Sequence, residues 1–177
     1  MKPTQKARSF AINWHDIYAN QKYSGSYPYS VHLQMVADTA IKFIALLPAE
    51  LREKAICAAW LHDAIEDARK TYNDIKHIFG KEVAEVVYAL TNEKGRNREE
   101  RANAKYYEGI RANACAVFVK VCDRIANAEF SVKNKSRMAA MYASENEHFL
   151  ASVGLPDSHP MAAYLIQTLA NAQPCSN

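Results

Sequence analysis

The sequence predicts an all-α protein folded as a single compact multi-helix bundle. Its 177 residues include only 5 Gly and 6 Pro, too few turn formers for a fold built from many short strands. Its apolar stretches are rich in Ala, Leu, Ile and Met, which favour helix, and their apolar residues recur at helical spacing rather than in strict alternation. At 49% hydrophobic and 10% aromatic residues, the chain can bury a substantial core. One domain over residues 1–177 is expected.

An opening helix is expected from Thr4 to Asn20, where Phe10, Trp14, Ile17 and Tyr18 fall at helical spacing. The polar stretch Gln21-Lys22-Tyr23-Ser24-Gly25-Ser26 reads as a loop. A second helix starts near Pro28 and runs to about Leu47. Pro48 suits the first turn of a third, whose ends carry Glu50 and then Arg69 and Lys70, as the helix dipole favours. Thr71 followed by Asp74 resembles a cap for a short helix ending at Gly80. Val83, Val86, Val87 and Leu90 mark the next helix. Asn97 with Glu100 opens another, which stops near Gly109. An apolar helix follows from Ala114 to about Phe130, and two final helices span about Arg137 to Leu150 and Pro160 to Ala172.

Lys and Arg total 22 against 19 Asp and Glu, a formal charge of +3. That balance demands no nucleic-acid partner and leaves room for a small anionic substrate. No positively charged start leads into an apolar signal core, and no apolar run approaches the roughly 20 residues of a membrane span. A cytoplasmic protein without a membrane partner is expected. Cys57, Cys115, Cys122 and Cys175 form no C-x-x-C pair and are expected to be reduced and structural.

The segment His62-Asp63-Ala64-Ile65-Glu66-Asp67 follows the nearly continuous apolar run Ala55 to Leu61, so four ionisable groups enter a core helix together. In a continuous helix His62 lies beneath Glu66 and Asp63 beneath Asp67, making one polar stripe. Three carboxylates within two turns repel each other, and the dipole of a helix C-terminus disfavours them further. A compensating cation would resolve the conflict. Elsewhere His32 begins the apolar pattern Val31, Met35, Val36 and Ile41, and Asp123 interrupts the run Ala116 to Cys122. Either alone reads as a satisfied core residue, with Lys120, Arg124 and Lys133 on offer as partners for Asp123. Together, two imidazoles and two carboxylates suit a first-row divalent metal and leave coordination positions open for catalysis.

These residues resemble the HD superfamily of phosphohydrolases, whose histidine, later His-Asp doublet and distant aspartate appear here as His32, His62-Asp63 and Asp123. The segments Pro28 to His32, Trp60 to Asp67, Ile78 to Gly80, Leu90 to Asn92 and Val119 to Asn127 resemble the hydrolase domain of RelA/SpoT proteins and the small alarmone hydrolases. That likeness covers about residues 11–130. It implies removal of pyrophosphate from the 3′ position of guanosine tetra- or pentaphosphate alarmones in the stringent response, with Mn²⁺ as the usual cofactor. It also implies His32, His62, Asp63 and Asp123 as metal ligands, and Glu66 and Asp67 as the pair that activates or positions water. Lys22 matches a basic residue of the family loop and Asn127 an asparagine of its motif, so both are candidate substrate contacts. Arg124 either contacts phosphate or pairs with a carboxylate. The charged run Glu93 to Arg101 is either a phosphate clamp or a solvated face.

The chain departs from the family pattern at Gln21, often Arg, and at Ala68, commonly Thr, and its loop before His32 is less basic. Two other readings compete. One is an HD phosphatase of another nucleotide, such as NADPH or a deoxynucleoside monophosphate, and the other is a metal- or nucleotide-binding module without turnover. The Glu66-Asp67 pair favours the alarmone hydrolase.

Overall fold

The computed structural model describes residues 1–170, apart from the side chains of Arg98 and Glu99; Cys175 and the expected helix end at Ala172 lie outside the described residues. Helix α1 (Pro3–Ile12) begins with proline at its first turn, but it does not continue to Asn20 as an α-helix. Its last part is a wider π-helical turn, Asn13–Tyr18. That turn buries Trp14 and His15 and leaves Ile17 and Tyr18 65% and 78% exposed, so these two do not extend the apolar face expected of them.

The polar loop contains a small hairpin, β1 (Lys22–Tyr23) against β2 (Tyr27–Pro28), with Tyr23 opposite Tyr27. Ser24 at φ 49° and Gly25 at φ 81° supply the left-handed backbone that the reversal needs. With Pro28 held in β2, helix α2 (Ser30–Phe43) starts two residues later than expected and closes in a 3₁₀ turn, Ile44–Leu46.

Helix α3 (Ala49–Leu61) stops before the motif it was expected to carry. The chain turns at His62 and Asp63, the latter at φ −95° and ψ 3°, and a separate short helix, α4 (Ala64–Asp67), follows. Thr71 and Asp74 cap α5 (Tyr72–Phe79) reciprocally, the Asp74 amide donating to Thr71 Oγ1 at 3.2 Å and the Thr71 amide to Asp74 Oδ2 at 2.8 Å. Gly80, at φ 89°, passes the chain into α6 (Lys81–Leu90), which buries Val83, Val86, Val87 and Leu90. The helix expected from Asn97 to Gly109 is two: α7 (Arg98–Arg101), capped by Asn97, and α8 (Ala104–Arg111), capped by Asn103. Then come α9 (Ala114–Lys133), α10 (Arg137–Val153) and α11 (Pro160–Ala170).

Helix α9 is central, packing against α2, α3, α6, α8, α10 and α11. Alanines 55, 58 and 59 of α3 are fully buried, and side chains that small let α2, α6 and α9 approach closely. Leu33, Leu61, Val119 and Ile125 fill the same core with no exposed surface, each contributing about 1.5–3 kcal/mol of burial. This packing sets the first turn of α2, the end of α3 and the middle of α9 around one point. Cys57, Cys115 and Cys122 are free and buried; burial, then the Glu53 charge, pushes the Cys57 thiol up to about 12. Among the described residues no helix is long and apolar enough to cross a membrane.

Candidate metal centre

The structure brings together His32 from α2, His62 and Asp63 from the turn after α3, and Asp123 from α9. The Nε2 atoms of His32 and His62 lie 3.3 Å apart. Asp63 Oδ2 is 2.9 Å from His62 Nε2 and 3.6 Å from His32 Nε2, and Asp123 Oδ1 is 3.4 Å from His32 Nε2. Donor atoms of His32, His62 and Asp123 all fall within 4.8 Å of one another.

The break at His62 and Asp63 corrects the continuous polar stripe. In a straight helix these neighbours diverge by about 100°, whereas the turn lets their side chains meet. It also changes the dipole argument, because Glu66 and Asp67 sit in α4 rather than at the far end of a long helix. The C-terminal end of α3 instead faces the His62 imidazole, the favourable sign there when that ring is protonated.

The electrostatics show how much negative charge surrounds the rings. Burial lowers the His62 pKa, but the adjacent Asp63, its hydrogen bond and Asp123 outweigh burial and push it up to about 9. Burial also opposes charge on Asp63, yet His62 and then His32 hold it well below the usual carboxylate range. For Asp123, burial is outweighed by Lys120, His62 and His32. The protonated His62 imidazole between two ionised carboxylates occupies the role of a cation. His62 Nδ1 lies 2.9 Å from the Ala59 carbonyl, which keeps a proton on Nδ1, so that loss of the second proton leaves the Nε2 lone pair aimed at the cluster. A mixed imidazole and carboxylate set of this kind fits a divalent metal.

Aromatic hydroxyls support the cluster. Tyr29 Oη donates to Asp63 Oδ2 at 2.6 Å and lies 3.3 Å from Asp67 Oδ2; with one proton to give, the shorter bond takes it. Tyr23 stacks on the His32 ring at 4.9 Å and donates through Oη to Asn127 Oδ1 at 2.9 Å. Asn127 Nδ2 in turn donates to Asp123 Oδ1 at 2.6 Å, one helical turn back on α9 as its spacing predicts. Burial raises the pKa of both tyrosines, so both remain donors.

The other candidate residues separate. Glu66 is exposed and held by Asn92, whose amide N–H and side chain donate at 3.2 Å and 2.8 Å. Asp67 accepts from Gln21 Nε2 at 2.8 Å and joins the cluster through Tyr29. Lys22 stands exposed on β1 opposite Pro28. Arg124 pairs with Glu145 at 3.2 Å and lies over the Tyr142 and Phe149 rings. In the run from Glu93 to Arg101, Glu93 pairs with Lys105 at 3.0 Å.

Lys120, weighed in the sequence only as a partner for Asp123, is 3.3 Å from Asp123 Oδ2. It also lines a cavity of about 510 Å³ with Asn92, Arg101, Tyr107, Arg124, Glu145, His148 and Phe149. Asn92, bonded to Glu66, and Lys120, paired with Asp123, thus also line the cavity. Burial opposes charge on Lys120, but Tyr106 and Asp123 raise its pKa, so it stays cationic. Its position three residues before Asp123, on the same face of α9, was the available signal.

Fold and site together define an all-helical domain built around two buried histidines and two carboxylates. The chain belongs to the HD domain family, whose model matches residues 7–171. It is 33% identical over 129 residues to the guanosine-3′,5′-bis(diphosphate) 3′-pyrophosphohydrolase of Aquifex aeolicus, covering 71% of this chain and 17% of that protein. It is 32% identical over 118 residues to the bifunctional (p)ppGpp synthase/hydrolase SpoT of Escherichia coli, covering 63% and 16%. The chain therefore spans about a fifth or less of the length of these relatives. Its fold is similar to that of a metazoan ortholog of SpoT, with a TM-score of 0.69 at 19% identity, over 97% of this chain and 94% of the other.

Proposed function

We propose that this domain is a metal-dependent pyrophosphohydrolase that removes the 3′-pyrophosphate of guanosine 3′,5′-bis(diphosphate) and its pentaphosphate counterpart. The observation that carries the reading is the His32, His62, Asp63 and Asp123 cluster, tied through the Lys120–Asp123 pair to a cavity that Lys120 lines with Arg101 and Arg124. A cation-binding centre linked through Lys120 to a cavity with three basic side chains suits a ligand with phosphates at both ends. Relatives named as a (p)ppGpp synthase/hydrolase and as a guanosine-3′,5′-bis(diphosphate) 3′-pyrophosphohydrolase support the choice of alarmone.

His32, His62, Asp63 and Asp123 hold the metal, which we take to be Mn²⁺. It supplies Lewis acidity, acidifying water and polarising a phosphoryl oxygen. Asp67 accepts the proton of the attacking water as the oxygen–phosphorus bond forms. The bond from phosphorus to the 3′ ribose oxygen breaks, and the proton on Asp67 passes to that leaving oxygen, restoring the carboxylate. Glu66, fixed by Asn92, adds negative charge and orients water at the cavity edge. Lys120 offsets charge on the transferred phosphates, with Arg101, Arg124 and the more distant Lys22 facing the other phosphates. Asn127 keeps Asp123 oriented while Tyr23 covers the His32 ring.

A nucleotide panel tests the reading: guanosine 3′,5′-bis(diphosphate), NADPH and deoxynucleoside monophosphates, each with manganese-loaded protein, with pyrophosphate and phosphate measured separately. Pyrophosphate from the alarmone is expected. Fast orthophosphate release from NADPH or a deoxynucleotide, with none from the alarmone, would replace this reading with the other nucleotide phosphatase.

A further inference from the structure

We propose that His15 and Gln21 are positioning residues for Asp67, forming a fixed chain of hydrogen bonds from the π-helical turn to the carboxylate that accepts the water proton. The inference rests on the role given to Asp67 above.

The donors and acceptors force the chain into one arrangement. A carboxylate only accepts, so Gln21 must turn Nε2 toward Asp67 Oδ2, 2.8 Å away. Its Oε1 then faces His15 Nδ1 at 2.6 Å, and that oxygen can only accept. The proton of His15 must therefore sit on Nδ1. Flipping the amide would set Oε1 against a carboxylate and leave the chain without a donor at that point. The Gln21 amide N–H also donates to the His15 carbonyl at 2.9 Å, tying the two residues through the backbone as well.

A second contact reaches the same carboxylate. The His15 ring stacks on Tyr29 at 4.9 Å with 16° between planes, and Tyr29 Oη lies 3.3 Å from Asp67 Oδ2. Both groups that touch Oδ2 are thus held by one imidazole. Among the described residues no hydrogen bond engages Asp67 Oδ1, which leaves that oxygen for the water proton.

Packing alone does not account for His15. It is fully buried, and its Nε2 has no hydrogen-bond partner among the described residues. Burial lowers its pKa, with Gln21 acting in the opposite sense, so the ring is neutral. The wider π turn that directs it inward leaves Ile17 and Tyr18 exposed. A buried polar group kept without a full complement of partners, on a local departure from α-helix, marks a functional constraint.

The test combines His15→Phe, which keeps the ring stack, and Gln21→Met, which keeps the length, with Asp67→Asn. Either single change should lower kcat on guanosine 3′,5′-bis(diphosphate) about 10-fold or more, leaving KM within about 2-fold and metal content unchanged. The double variant should be no slower than the slower single, and neither change should slow Asp67→Asn further. In metal-free protein, nitrogen NMR should find the His15 proton on Nδ1. Wild-type kcat in Gln21→Met, losses that persist in the Asp67→Asn background, or a proton on Nε2 would overturn the chain. If His15→Phe does not fold, Gln21→Met and the NMR tautomer decide alone. Full turnover by Asp67→Asn would overturn the role of Asp67 and this chain with it, whereas slow Asp67→Asn beside unaffected Gln21→Met would overturn the chain only.

Discussion

His32 and His62 meet through their Nε2 atoms at 3.3 Å although 30 positions separate them in sequence. Asp63 and Asp123 set carboxylate oxygens within 2.9–3.6 Å of these nitrogens, so four donor groups converge on one point. A divalent metal held as proposed would satisfy all four groups at once.

His62→Ala and Asp63→Asn should therefore lose bound metal and lower activity by about 100-fold or more, while far-ultraviolet circular dichroism stays helical. Elemental analysis checks this on the purified variants. Stoichiometric metal with near-native turnover in either would remove these residues from the metal shell.

Asp67→Asn should keep its metal and lose about 100-fold in turnover, as expected of a proton acceptor. Glu66→Gln should also retain metal and slow turnover, because its bonds to Asn92 lie outside the His-Asp cluster. A parallel fall in metal content would make either carboxylate a ligand instead.

Tyr29→Phe removes the hydroxyl that joins Asp63 and Asp67. Metal affinity or activity should fall about 10- to 100-fold, with little change in circular dichroism. Unchanged metal titration and rate would show that the hydroxyl does not orient these carboxylates.

The pH dependence has a definite sign. In metal-free protein His62 titrates at about 9 against an ordinary 6.5, so near neutral pH it carries a proton that metal must displace. Metal binding should release about one proton from this ring and strengthen as pH rises toward 9, by up to about tenfold per pH unit. For the metal-free protein the raised pKa contributes stability that is full below about 6.5 and lost as pH rises through about 9. Melting temperature without metal should thus fall over the interval in which metal affinity grows. Calorimetry in two buffers of different ionisation heat measures the proton; equal heats in both would contradict it.

Much of the local architecture follows from side chains acting on adjacent backbone, which is why Thr71 with Asp74 and Asn97 with Glu100 reveal helix starts in the sequence. Asn127 was readable for a similar reason, since helical spacing alone sets it beside Asp123. The break at Asp63 was not readable: the apolar run before it continues helical periodicity, and only tertiary packing turns the chain there. The π turn is hidden likewise, because Ile17 and Tyr18 keep helical spacing while facing solvent. The roles of His15, Gln21, Tyr23 and Tyr29 are hidden because they depend on contacts among the π turn, the hairpin, α2, α4 and α9 that carry no short sequence signature. Lys120 was visible as a partner for Asp123, but its cavity is formed by residues from distant helices.

The most direct test of the account is hydrolysis of guanosine 3′,5′-bis(diphosphate) in ¹⁸O water by manganese-loaded protein, followed by phosphorus NMR. The account predicts guanosine diphosphate and pyrophosphate in equal amounts, with the label in pyrophosphate and the reaction abolished in Asp63→Asn. Release of orthophosphate in place of pyrophosphate, label on the nucleoside, or equal rates in Asp63→Asn would contradict it.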